Sequence, residues 1–141
     1  LAPKVRTLVD NDVLGYLIVG LVWGCWHIPY MLFYLGAAEI QAATGQNITT
    51  FLPIGILNLV VASIAYNEMR FLTGSVWTAV LMHTVCNALT EMLAVQGFIS
   101  IKAGMGFWVS PGHNSILTLM LFLAVGIWLR HLRRKKELLA A

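Results

Sequence analysis

The sequence predicts an all-α fold, a polytopic membrane helical bundle with about four transmembrane helices, and three observations carry that prediction. Of its 141 residues, 59% are hydrophobic before the 12 glycines are counted, whereas soluble proteins reach about 45 to 50% with glycine included. Only 11% are charged, so the apolar residues fall into long uncharged runs. The basic residues gather at the ends of those runs, above all in "RHLRRKK", Arg130 to Lys136. Backbone polar groups facing lipid have no water to bond, so each run reads as a helix.

Residues 13 to 38, between Asp12 and Glu39, carry no charged side chain, which exceeds the roughly 20 helical residues needed to cross a hydrocarbon core. This gives a first span over about 13–37. The next uncharged stretch opens polar, "QAATGQNITT", and turns apolar from Phe51 to Tyr66. A helix beginning near Ile48 makes it a second span, 48–66. Phe71 to Thr90 is again uncharged, with the helix-starting cluster "TGS" at Thr73 to Ser75; the third span is 73–94. After the Gly-rich connection "GFISIKAGMGFWVSPG", the apolar stretch from Ser115 to Leu129 can begin as early as His113, giving a fourth span over 113–130.

Charge orients the four. With both ends on one side, Lys4, Arg6, Arg70, Arg130, Arg133, Arg134, Lys135 and Lys136 share that side and Lys102 stands alone on the other. By the positive-inside rule the shared side is cytoplasmic, so the expectation is a multi-pass protein of the cell membrane with a cytoplasmic C-terminus. The basic tail abuts an apolar run, which marks a helix end at a membrane rather than a nucleic-acid surface. The partner it implies is the lipid bilayer, and no nucleic acid. The opening twelve residues have no signal-peptide pattern. Cys25 and Cys86 sit singly inside apolar runs, as small buried residues rather than a disulfide or a CxxC metal motif.

Polar side chains inside a membrane helix cost a few kcal/mol and usually face the bundle interior. His27 lies in the first span, within "WGCWHIPYML", and His83 in the third. Trp23, His27, Tyr30 and Tyr34 share one helical face, and Pro29 weakens the turn beside the imidazole. His83 and Asn87 stand four apart in "HTVCN", so both address one small volume. Glu91 continues that face towards the helix end, where an acid is cheap. At about 1.5 Å per residue, His27 lies roughly 20 Å from the cytoplasmic side and His83 roughly 15 Å. One such histidine would read as a satisfied core residue; two on separate spans, each with same-face companions, read as a shared site. His113, Arg130 and His131 fall at helix ends, where anchoring or capping accounts for them. A zinc centre needs three or four converging ligands, and no complete set is visible, so cofactors stay open, a divalent metal included. The same two histidines could instead be axial ligands of a b-type haem.

"WGCWHIP", followed by "YNEMRFLTGSVWTAVLMHTVCNAL", resembles the second and third motifs of the CAAX protease and bacteriocin-processing family of intramembrane endopeptidases. The second motif is an aromatic residue, three others and a histidine, matched by Trp23 and His27 with Trp for the usual Phe. The third is histidine, three others and asparagine, matched by His83 and Asn87. Asn67, Gly74, Ser75 and Trp77 agree with the flanking pattern. The resemblance covers about residues 1 to 90, and makes residues 1–141 the C-terminal part of a CAAX-protease-like membrane domain. The family's first motif, two adjacent glutamates, is absent from these residues. "LAPKV" resembles the family's segment directly after that motif, so the expectation is a chain that starts just past the glutamates and is inactive by itself. The resemblance implies a peptide or lipidated-protein substrate, water activated jointly by the missing glutamate and His27, and an oxyanion held by His83 and Asn87. A non-catalytic protein of the same fold, such as a bacteriocin-immunity or scaffold protein, is the alternative.

Overall fold

The computed structural model describes residues 1–90, 93 and 97–140. Its helices are α1 (Ala2–Leu8), α2 (Asp12–Pro29), α3 (Ala37–Thr44), α4 (Ile48–Thr73), α5 (Val76–Thr90), α6 (Gly106–Val109) and α7 (Ile116–Ala140), and a π-helical turn, Tyr30–Tyr34, continues α2 beyond Pro29. Among the described residues there is no strand. Glu91 and the expected end of the third span lie outside the described residues.

Three helices are long and apolar enough to cross a membrane: Asp12–Tyr34, Ile48–Thr73 and Ile116–Ala140. Val76–Thr90 is apolar but shorter. The protein is an all-α, multi-pass membrane bundle. Its outward faces are apolar, as lipid requires, with Leu17, Leu21 and Val22 exposed on α2 and Met120, Leu121, Ile127 and Trp128 on α7.

The hub is α4, which packs against α2, α7 and α5. Lipid tails are as apolar as leucine, so membrane helices are held together by close packing and interhelical hydrogen bonds rather than by hydrophobic exclusion. Both devices occur here. A Cβ on Gly20 would lie 2.7 Å from the Val60 Cα, and one on Gly24 3.2 Å from Ile56 Cγ2. Glycines four apart thus bring the α2 and α4 backbones together. Beside them Ser63 Oγ donates to the Tyr16 carbonyl at 2.9 Å. Between α4 and α7, Asn58 Nδ2 donates to the Ser115 carbonyl at 3.1 Å and accepts at Oδ1 from Thr118 Oγ1, also 3.1 Å.

Helix α4 outruns its apolar stretch and ends at Thr73, and α7 continues past residue 130 to Ala140. The reason is a buried ionic cluster where the two helices meet. Arg133 Nε and Nη2 reach Glu68 Oε2 and Oε1 at 2.6 and 2.9 Å. Asp12 Oδ2 lies 2.8 Å from Arg133 Nη2, and the Tyr16 hydroxyl bonds Glu68. Arg133, grouped by sequence with the solvent-facing basic tail, is 4% exposed. Arg6 pairs with Glu137 at 3.1 Å and Lys136 Nζ with the Leu72 carbonyl at 3.3 Å, so the two ends of the chain and the α4–α5 turn share one end of the bundle. That turn is sharp because Gly74 closes α4 at φ +71°, a left-handed conformation that glycine adopts without a Cβ clash.

Candidate active site at the head of the bundle

Helix α2 supplies Trp23 and His27, α4 Tyr66, and α5 His83 and Asn87; the connection into α7 supplies His113 and Asn114. Trp23 organises the imidazoles. Its indole meets His27 at a centroid distance of 5.8 Å, His83 at 5.4 Å and His113 at 6.1 Å, each edge to face. Tyr66 closes the group at 5.3 Å from Trp23 and 5.6 Å from His83. The edge of one ring against the face of the next is the arrangement aromatic quadrupoles favour.

His27, His83 and Asn87, named from sequence as one site, line one cavity of about 500 Å³. Tyr30 lines it too, whereas Tyr34, expected on the same face, stacks on Tyr30 at 6.2 Å and is 82% exposed. The π-turn after Pro29 rotates Tyr34 off the line that regular helical spacing projects. Cys25, expected to be a small buried residue, is instead exposed, and Cys86 is half-buried; two residues from His27, Cys25 falls on the opposite side of the helix, away from the neighbouring helices. Among the described residues no three His, Cys, Asp or Glu side chains are placed to hold a metal ion.

Hydrogen bonding sets the state of each imidazole. His27 Nδ1 lies 2.8 Å from the Trp23 carbonyl; a carbonyl only accepts, so Nδ1 carries the proton and neutral His27 keeps its free lone pair on Nε2. Asn87 Nδ2 lies 3.4 Å from His83 Nε2. An amide nitrogen only donates, so the proton of neutral His83 sits on Nδ1, which is buried and has no partner. One ring therefore offers an acceptor and the other an unused donor, the complementary pair that hydrolysis of a carbonyl needs.

Two further residues line the cavity: His113, read from sequence as an anchoring or capping residue, and Asn114, which sequence reading did not name, because both fall just before α7 rather than on a polar helical face. The ring of His113 stacks on Phe122 at 4.8 Å and stands 6.4 Å from His83. The signal that could have found them is the adjacent pair itself, two hydrogen-bonding side chains at the mouth of an apolar run.

No curated protein and no solved structure matches the chain. A family model described as type II CAAX prenyl endopeptidase, Rce1-like, matches residues 1–89. The match spans more than half the sequence and includes His27, His83 and Asn87, and on it the chain belongs to the Rce1-like family of type II CAAX prenyl endopeptidases, a family of membrane proteases.

Proposed function

We propose that this chain carries part of the active site of an intramembrane endopeptidase that hydrolyses a peptide bond in a membrane-associated or lipidated peptide. The observation that supports the reading is that two imidazoles line one cavity, His27 with Nε2 as its acceptor and His83 with a buried Nδ1 donor that has no partner. A water oxygen attacks the substrate carbonyl carbon while its proton passes towards His27. His83, with the remaining Asn87 N–H, stabilises the oxyanion. Collapse of the tetrahedral species breaks the C–N bond, and the amine leaves with the proton.

Among the described residues no carboxylate lines this cavity. The resemblance assigns the acid that shares water activation to the paired-glutamate motif. The adjoining cavity of about 770 Å³ shares Tyr30, Leu35, Phe51, Thr90 and Asn114 with the first, which leaves room for a chain longer than the reacting peptide unit. The basic groups at one end of the bundle support a cell-membrane protein with its C-terminus in the cytoplasm.

The test is cleavage of a farnesylated CAAX peptide in liposomes by the chain joined at its N-terminus to a segment carrying the glutamate motif. Loss of turnover in His27→Ala and in His83→Ala, with unchanged melting in detergent, is the expected result. Full turnover in the double variant would remove the assigned roles. Absence of cleavage by the unaltered protein would favour the scaffold alternative, and a Soret band the haem one.

A further inference from the structure

His113 Nε2 is buried and makes no hydrogen bond, and neither does Asn114 Oδ1, although Asn114 is only 7% exposed. Each such group costs about 1–3 kcal/mol when left unsatisfied, so two in succession call for a partner. Both residues line the cavity that holds His27, His83 and Asn87. They are also held firmly. The His113 ring is fixed by its stack on Phe122 and the edge of Trp23. The Asn114 backbone is tied to the start of α4 by Gln46 Nε2, which donates to its carbonyl at 2.8 Å. That bond uses the main chain and leaves the carboxamide free.

We propose that His113 and Asn114 are substrate-binding residues that hold the peptide backbone next to the reacting bond: their free atoms, shielded from the cavity by neighbouring side chains, are reached when a peptide spreads those neighbours, His113 Nε2–H donating to a substrate carbonyl and Asn114 Oδ1 accepting from a substrate N–H. An extended peptide entering a water-poor cavity must replace the hydrogen bonds it made outside. One donor and one acceptor from adjacent residues answer that need on the wall formed by the connection into α7. The assignment rests on the peptidase reading, but concerns binding rather than the chemical step. His113 and Asn114 lie beyond the stretch matched by the family model, on a segment whose variation would tune which peptide is held.

The probe is a farnesylated CAAX peptide with a reduced amide in place of the scissile bond, its binding to the chain joined to the glutamate-motif segment in detergent followed by fluorescence anisotropy. Turnover of the cleavable peptide is measured in parallel. His113→Ala is expected to weaken binding and raise KM about tenfold, the equivalent of one hydrogen bond between buried groups, with kcat within about threefold. His113→Gln, which keeps a donor near the Nε2 position, is expected to recover most of the loss, and Asn114→Leu to weaken binding like His113→Ala. Unchanged binding in His113→Ala and Asn114→Leu would overturn the proposal, because it would mean that water satisfies both groups. So would a fall in kcat alone, or an unaltered protein that does not bind the probe. If the protein binds the probe and the variants weaken that binding, yet the cleavable peptide survives intact, the peptidase reading fails and the assignment of these two residues stands.

Discussion

Arg133 grips Glu68 through two hydrogen bonds, 2.6 and 2.9 Å, with the carboxylate fully buried and the guanidinium 4% exposed. The pair joins α4 to α7, and Asp12 and Tyr16 extend it to α2. Removing one member leaves a buried charge without its partner, at a cost of about 3–5 kcal/mol, whereas replacing both with apolar groups of similar volume is often close to neutral. Glu68→Met and Arg133→Met should therefore each lower the stability of the protein in detergent by several kcal/mol, and the double variant should recover most of the loss. A double-mutant cycle on thermal unfolding measures this; additive losses would mean that the two residues act independently.

Close helix approach gives a second expectation. A Cβ at Gly20 would sit 2.7 Å from backbone at Val60, whereas one at Gly15 meets nothing nearer than Val5 Cγ1 at 3.9 Å. Gly20→Ala should force α2 away from α4 and destabilise by about 1–3 kcal/mol, as overpacking does. Gly15→Ala, on the same helix, should be neutral or stabilise by up to about 1 kcal/mol through helix propensity. Comparing the two melting temperatures separates a steric effect from a general effect of filling glycines in α2.

Much of this was legible beforehand. The apolar runs announced α2, α4, α5 and α7, since lipid leaves a long uncharged segment little choice but helix. That His27, His83 and Asn87 line one cavity was legible because helical spacing places His83 and Asn87 on one face and a second membrane histidine needs an interior to face. Glu68 and Arg133 were not: each stands close to another charge in the chain, half-buried Arg70 and exposed Arg134, and reads as solvated until α4 and α7 pack together. His113 and Asn114 were hidden differently. They sit on an irregular connection, where no periodicity tells which way a side chain points.

Loss of either imidazole should be costly but for different reasons. In the proposed mechanism His27→Ala removes an acceptor for the water proton, an effect of about 10²–10⁴ in rate. In the same mechanism His83→Ala removes a donor to the oxyanion, worth about 10²–10³. Asn87→Leu should also lower kcat, since it frees His83 to place its proton on Nε2 and so loses the Nδ1 donor; Asn87→Gln, with a longer amide, should restore only part. Single-turnover rates with the farnesylated peptide, at equal occupancy, test this order. An Asn87→Leu protein with wild-type kcat would show that the carboxamide does not set the tautomer of His83.

Trp23 should matter to the site more than to the bundle. Its indole touches His27, Tyr66, His83 and His113 at centroid distances from 5.3 to 6.1 Å, and such pairs are worth about 0.5–1.5 kcal/mol each. Trp23→Ala keeps the carbonyl that accepts from His27 Nδ1, because that group belongs to the backbone, but removes the surface against which the imidazoles rest. Activity should then fall by at least about tenfold, since a misplacement of about 1 Å is enough to cost 10²-fold. Trp23→Phe keeps an aromatic face at the same place and should retain most of the activity. If instead both variants lose activity equally while melting unchanged, the indole N–H, rather than the ring surface, is what the site requires.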